Sequence, residues 1–574
     1  MTRDSTRLAA ALAFTGSLLV VCAPDPVEAA VQAPNASPAC ATTADLLPAR
    51  RWEGAVDSQS VCLRLSLERG QFARVAVEGA RGMAVFLQAT VLGPGDSVPF
   101  LRSPRVLSWE ARTPGVHTIV LTTGRATRVT ATVTDIEDAG ALAARRRALA
   151  ADPRVAWLAA RAIPFRTLDP RDTAFADLQR LRPLLSNVRV VLLGEADHGD
   201  GSDFLAKSRL IRFLHTQMGF DVLAFEAGVY DMWRASREIG AGRDPRASFL
   251  QGLYWLWGLS EQLGPLMAYV AETAHSPRPL VLAGIDVQRS ASMWAGAAVS
   301  DTLLAELATF LNANGLGGPL ADPRSAESQL LKRLHDYQYR PAPDSTAMAA
   351  LQSAVNATAG RIERAVATDE GRIWTRVLWN VAARAALAWP RWPGARRSFC
   401  ETDACRTCSD RDPEMAQNLV WLANQMYPGR KIIVWAHNGH IIRDRSRTES
   451  DSSGGSLYAM GDGVRAAFGN DAYAIASVSY EGSYHWAHPQ RPTFEIVPDQ
   501  SPEPEFEELM VAAGHRIGLL DLRQAVPGSA WLAQPFLARP IEHSTDRSPW
   551  GRSFDAFLFI RTQEPSLAIP LPQP

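Results

Sequence analysis

The chain lacks an excess of either charge: 59 Lys and Arg stand against 60 Asp and Glu in 574 residues. That balance argues against nonspecific nucleic-acid binding and supplies no attraction to an anionic membrane surface. Beyond the first residues there is no apolar run long enough to span a bilayer. A G-x-S-x-G elbow and an H-E-x-x-H helix are both missing, which argues against a serine α/β-hydrolase and a zincin protease. Hydrolysis by an activated water stays open. No internal repeat is visible, and the length calls for two or more folded units.

What the chain does carry begins with a leader over residues 1–30. Arg3 and Arg7 precede an apolar run, Leu8–Val21, and small residues around Ala29 and Ala30 suit signal-peptidase cleavage. Cys22 resembles the lipid-accepting cysteine of a lipoprotein signal, but Val21 stands where such signals carry a small residue, so a lipid anchor is the lesser reading. Export to a periplasmic or extracellular compartment is expected. There Cys40 and Cys62 are expected to pair, a bond that stabilises by roughly 3 kcal/mol on loop-entropy grounds. Cys400, Cys405 and Cys408 follow a C-x4-C-x2-C spacing that echoes part of an iron–sulfur pattern. With no fourth ligand evident, a disulfide plus one spare thiol is the expectation.

The expected fold class is α/β: a mostly parallel sheet flanked by helices, with a helical insertion, preceded by a small all-β sandwich. The sandwich is expected over residues 31–140, strand-like from about Leu46 to Asp135, with Val61–Leu67, Phe72–Val77, Ala84–Val91, Gly115–Thr122 and Arg128–Thr134 separated by Gly, Pro and Asp turns. A helical connector, Gly140 to Ala151, leads to a second unit over 150–574. There Val188–Gly194, a helix Phe204–Met218 capped by Ser202 or Asp203, and Val222–Phe225 form a βαβ unit. Residues 290–425 are mostly helical. Many of the sixteen tryptophans lie between Trp233 and Trp392, which suits a well-filled helical core or, alternatively, aromatic walls around an apolar ligand.

Four strands of this unit end on acidic or histidine side chains. Val188–Gly194 runs into Glu195 and His198, Val222–Phe225 into Glu226, Leu280–Ile285 into Asp286, and Lys431–Ala436 into His437 and His440. Each run is apolar with little alternation, as in a strand covered by helices on both faces. Parallel strands bring such ends to a common edge, where α/β ligands bind. A carboxylate beside an imidazole fixes its tautomer and stabilises the imidazolium formed when it takes a proton. Each residue also has a bland reading: a lone His-x-x-His arises by chance, Glu226 could pair with an arginine, and Asp286 could cap a helix. The shared position at strand ends favours a functional site.

The segments VLLGEADHG (Val191–Gly199), Phe225-Glu226, Ala283–Asp286, RDPEMAQNL (Arg411–Leu419) and WAHNGHI (Trp435–Ile441) together resemble the erythromycin esterase family, in order, from about Ala162 to Ile569. The N-terminal β region lies outside the resemblance. It implies opening of a carboxylic ester or lactone, macrolide lactones included, by water. His198 would be general base and Glu195 would orient it, with Glu226, His437 and His440 matching the remaining catalytic positions. His437, His440 and Lys207 would stabilise the oxyanion or protonate the leaving alkoxide, and Asp286 would support them. Trp255, Trp257 and Trp374 would wall an apolar substrate. Lys207 stands where macrolide-opening members carry arginine, keeping the charge without the planar fork. No cofactor is expected; the alternative is a divalent metal held by Glu195, His198, Glu226, His437 and His440. A third reading is a non-catalytic envelope protein that binds through its β region.

Overall fold

The computed structural model describes residues 40–569, apart from 49, 58, 80–86, 96–100, 104–105, 124–125, 291–296, 336–343, 389–403, 445–457, 489–492 and 499–502. The leader, Cys22 and Cys400 lie outside the described residues, as do the side chains of Cys405 and Cys408.

Among the described residues, nine strands build the N-terminal β region: β1 (Cys40–Asp45), β2 (Arg51–Val56), β3 (Ser60–Leu67), β4 (Phe72–Gly79), β5 (Leu87–Leu92), β6 (Leu101–Ser103), β7 (Val106–Glu110), β8 (Gly115–Thr123) and β9 (Thr127–Glu137). They form two sheets, ordered β1-β3-β8-β5-β6 and β2-β9-β4-β7. One apolar core that includes Leu63, Val75, Leu107 and Ile119 joins them. A disulfide links Cys40 to Cys62, tying β1 to β3. The four strands that alternation does not reveal, β1, β2, β6 and β7, are the sheet edges. An edge strand is paired on one side only and needs less apolar patterning.

The second unit is a mixed α/β domain. Its sheet comprises β10 (Ile163–Pro164), β11 (Val190–Leu193), β12 (Phe220–Gly228), β13 (Val281–Asp286), β14 (Lys431–Trp435), β15 (Ala472–Tyr484), β16 (Phe494–Ile496), β17 (Ile517–Asp521) and, after a separate hairpin of β18 (Phe536–Ile541) and β19 (Ser544–Ser548), β20 (Ala556–Gln563). The order is β10-β17-β20-β15-β11-β14-β12-β13, with β16 beside β15. From β20 to β13 every pairing is parallel, while β10, β17 and β16 pair antiparallel. The strands β11, β14, β12 and β13 are thus consecutive neighbours, and their carboxyl ends share one rim. All four residues of β11 are buried. Each such aliphatic side chain contributes roughly 1.5–3 kcal/mol on leaving water.

Helices cover both faces. Between β13 and β14 come Ala297–Ala313, Ala326–His335, Ser345–Ala365, Asp369–Ala388 and Ala404–Trp421. Trp374 is completely buried there, against Tyr230, Trp233 and Phe310. It is a core residue and does not wall a substrate site. The helix after β11 runs Gly201–Met218 with Asp200 as its N-cap, ahead of Ser202 and Asp203. The Asp200 carboxylate caps nothing, because it is engaged by the preceding loop and by a histidine described below. No helix among the described residues is long and apolar enough to cross a membrane.

Candidate active site

The loop 194–200 leaves β11 and is shaped by close approach. Neither Gly194 nor Gly199 is left-handed. A Cβ on Gly194 would sit 1.9 Å from Asn438 Oδ1, and one on Gly199 would sit 2.7 Å from the backbone of His485. The glycines are required for space there, and not for the sharp turn that the Gly-flanked motif suggests. Asn438 uses that space to bond across the rim, donating from its backbone to Glu195 O at 2.8 Å and from Nδ2 to Ser477 O and Pro540 O.

Glu195 is fully buried and carries three donors. His198 Nδ1 and Trp257 Nε1 each lie 2.8 Å from Oε1, and Lys207 Nζ lies 2.5 Å from Oε2. Burial alone would raise its pKa, but the Lys207 charge and the His198 hydrogen bond outweigh that and hold it below the ordinary value. Glu195 is therefore a carboxylate. Lys207 is itself completely buried, 4.0 Å over the Trp435 ring and 3.5 Å from Asp203 Oδ2. It supports Glu195 from below and does not reach the rim, so it fits the supporting part of the expectation and not the oxyanion part.

His198 keeps about a fifth of its side chain exposed. With Nδ1 held by Glu195, Nε2 has no protein partner among the described residues. Burial opposes charging the ring, but the Glu195 hydrogen bond and charge, with Glu226 and Asp197 nearby, raise its pKa above the ordinary value. Trp257 meets the ring edge-on at 4.9 Å and Trp486 flanks it at 6.3 Å. Trp255 packs on Trp486 and His488, which extends an aromatic wall outward.

The two remaining imidazoles have opposite states. His437 donates from Nε2 to Ala196 O at 2.7 Å and accepts from Gly439 N–H at Nδ1, 3.0 Å away. Burial, with the charges of His198 and His440, pushes its pKa down to about 3. It is a neutral ring with both nitrogens spent on backbone. His440 lies between two carboxylates, with Nδ1 2.6 Å from Asp412 Oδ1 and Nε2 3.0 Å from Glu226 Oε1. Burial disfavours its charge, yet Asp412 and Glu226 raise its pKa to about 10. It is an imidazolium at neutral pH.

Glu226 receives His437 N–H on Oε2 at 2.9 Å and Arg411 on Oε1 at 2.5 Å. Burial would raise its pKa; His440 and Arg411 hold it well below the ordinary range. The arginine pairing raised as its bland reading is real, but the pair lies inside the site. Arg411 also bonds Asp286 through Nε at 3.1 Å, and Asp286 accepts from Tyr254 OH. Asp286 caps no helix; its Oδ1 accepts from Gln288 N–H.

The rim thus brings together Glu195, His198, Glu226, His437, His440 and Asp286, with Lys207 and Trp257 beneath. Arg411 and Asp412 carry no individual mark in the sequence beyond opening the RDPEMAQNL segment. That adjacent Arg-Asp pair is the available signal. A divalent metal does not fit this donor set: both nitrogens of His437 and of His440 are already bonded, and among the described residues no three His, Cys, Asp or Glu groups converge as a metal requires. An open surface cleft of about 570 Å³ lies elsewhere, lined by Phe165, Leu168, Leu205 and Ile517, and holds none of these residues.

Comparisons with known proteins point one way. The family model described as erythromycin esterase matches residues 215–563, beginning after Glu195 and His198. The YbfO protein of Bacillus subtilis (strain 168) is 26% identical over 425 residues, 72% of this chain and 92% of that protein. Erythromycin esterase type II of Escherichia coli is 30% identical over 137 residues, 23% of this chain and 32% of that enzyme. A solved structure described as a succinoglycan biosynthesis protein superposes with a TM-score of 0.57 at 18% identity, covering 74% of this chain and 98% of that one. A Bacillus cereus protein does so at 0.57 and 19%, covering 74% and 99%. These two structures support the fold.

Proposed function

The chain belongs to the erythromycin esterase family, and from its site we propose hydrolysis of a carboxylic ester or lactone by a water that His198 activates. The observation that carries this reading is a half-open imidazole whose Nδ1–H is fixed by a buried, ionised Glu195 while Nε2 is left for substrate water. Nε2 takes a proton as the water oxygen attacks the carbonyl carbon. The imidazolium so formed is stabilised by Glu195, and it returns the proton to the alkoxide as the C–O bond breaks. His440, with a carboxylate on each ring nitrogen, serves by holding Glu226 ionised and in place at the rim. His437 serves by position, bridging the loop of His198 to the strand end of β14. Trp255 and Trp486 line the approach to His198, with Trp257 buried behind them on Glu195, and suit a substrate with an apolar face.

Macrolide lactones belong among the substrates to try first, since one relative is an erythromycin esterase. Export is part of the same proposal, supported by the apolar leader and by the Cys40–Cys62 disulfide. The test is mass spectrometry of macrolides, smaller lactones and simple esters after incubation in ¹⁸O-water, with and without a chelator. The expected product gains one water, carries the label in its carboxylate, and forms equally under chelation. Turnover abolished by the chelator and restored by a metal would overturn the water-and-histidine route.

A further inference from the structure

Among the described residues the hairpin β18–β19 belongs to no other sheet, and its tip reaches the loop that carries His198. Two contacts join them, and a third ties the hairpin to the segment that follows β14. Pro540 O accepts from Asn438 Nδ2 at 2.7 Å, Glu542 N–H donates to Ala196 O at 2.9 Å, and His543 Nε2 meets Asp200 Oδ1 at 2.8 Å. The second oxygen of Asp200 receives Asp197 N–H, so this grip spans both sides of His198. Ala196 O is a shared node, since it also accepts from His437 Nε2.

The turn is conformationally unusual. Glu542 and His543 have φ of 49° and 50°, two successive left-handed residues between the paired Ile541 and Ser544. A two-residue hairpin of this kind favours Asn-Gly, and non-glycine residues held there mark a site where surroundings impose the shape. The His543 side chain is only 4% exposed, with the Tyr484 ring tilted against it 5.1 Å away. Around it stand Asp197 and Asp200 from the loop, Asp203 from the following helix, Glu507 from the helix Phe506–Ala512, and Arg539 from its own hairpin. Burial pushes the ring down to about 4 and raises Asp200 well above its usual range, so their contact is a neutral hydrogen bond.

We propose that the Glu542-His543 turn is a positioning clamp for loop 195–200, with His543 as the residue that holds Asp200 and so fixes the direction of His198 Nε2. Its catalytic consequence rests on His198 being the base, but the clamp itself can be tested without a substrate. The measurement is the rate of carbethoxylation of each histidine, read by peptide mass spectrometry at about pH 6, together with Tm. The key variant, Glu542→Asn with His543→Gly, relaxes the turn while removing the His543–Asp200 bond. Relief of the two left-handed residues offsets part of the lost His543 packing, so Tm should fall little and yet modification of His198 should speed by about threefold or more, as the Glu195 contact loosens. His543→Gln, which can still bond Asp200, should stay close to the parent rate. Unchanged His198 reactivity in the relaxed-turn variant would overturn the clamp, as would a fall in Tm with all histidines modified faster alike. An enzyme inactive on every ester would sink the hydrolase reading and leave this result standing.

Discussion

His198 and His440 are the same residue type on one rim, and their neighbours give them opposite duties. His198 has one nitrogen on a carboxylate and one open, so it can exchange a proton; His440 has a carboxylate on each nitrogen and keeps its charge. A base must be neutral to act, so kcat/KM should rise with pH through a midpoint above 6.5, the ordinary imidazole value. Glu195→Gln removes the charge that raises it. The acid limb of the pH profile should then move to lower pH while the plateau falls by about 10²-fold or more. For His440 the folded pKa of about 10 exceeds the ordinary 6.5. Its stabilisation is therefore fully present below 6.5 and is lost as pH rises through 10. Asp412→Asn should cost most stability near neutral pH and progressively less toward pH 10, as followed by urea unfolding at a series of pH values.

At the scale of elements, legibility followed burial. The four strands whose ends carry the site are unbroken apolar runs in the sequence, and they are consecutive in the sheet. The strands without a sequence pattern, β1, β2, β6, β7, β10 and β16, are edges or sit beside one strand only, and the hairpin β18–β19 stands apart. None of these needs a two-sided apolar pattern. In the site, the carboxylates and histidines at strand ends could be read directly, whereas Arg411 and Asp412 arrive from a distant helix whose face the sequence does not orient. His543 carries no signal at all, because Glu-His is not a residue pair that announces a tight turn. The loop after β11 gives the sharpest mutational test. In Gly194→Ala the new methyl meets Asn438 Oδ1 and Ile441 Cδ1, so Asn438 must leave its bonds to Ser477 O and Pro540 O. A destabilisation of about 1–3 kcal/mol is expected, with a larger fall in kcat than in the affinity for substrate.

At the scale of the molecule, the β region and the α/β domain have separate cores. The disulfide lies wholly in the first, closing a separation of 22 residues. Cys40→Ser should therefore lower the unfolding free energy of the β region by roughly 3 kcal/mol, seen as an earlier calorimetric transition, while ester turnover is unchanged. The candidate site lies in the second unit, on a rim where, among the described residues, buried charges are paired and His198 Nε2 is left open. The most direct measurement is kcat/KM of His198→Asn against the parent protein, on the best ester of the panel at about pH 8, with circular dichroism to verify the fold. Hydrolysis through His198 requires a loss of at least about 10²-fold in a folded variant. A folded variant that still turns over at the parent rate would contradict it.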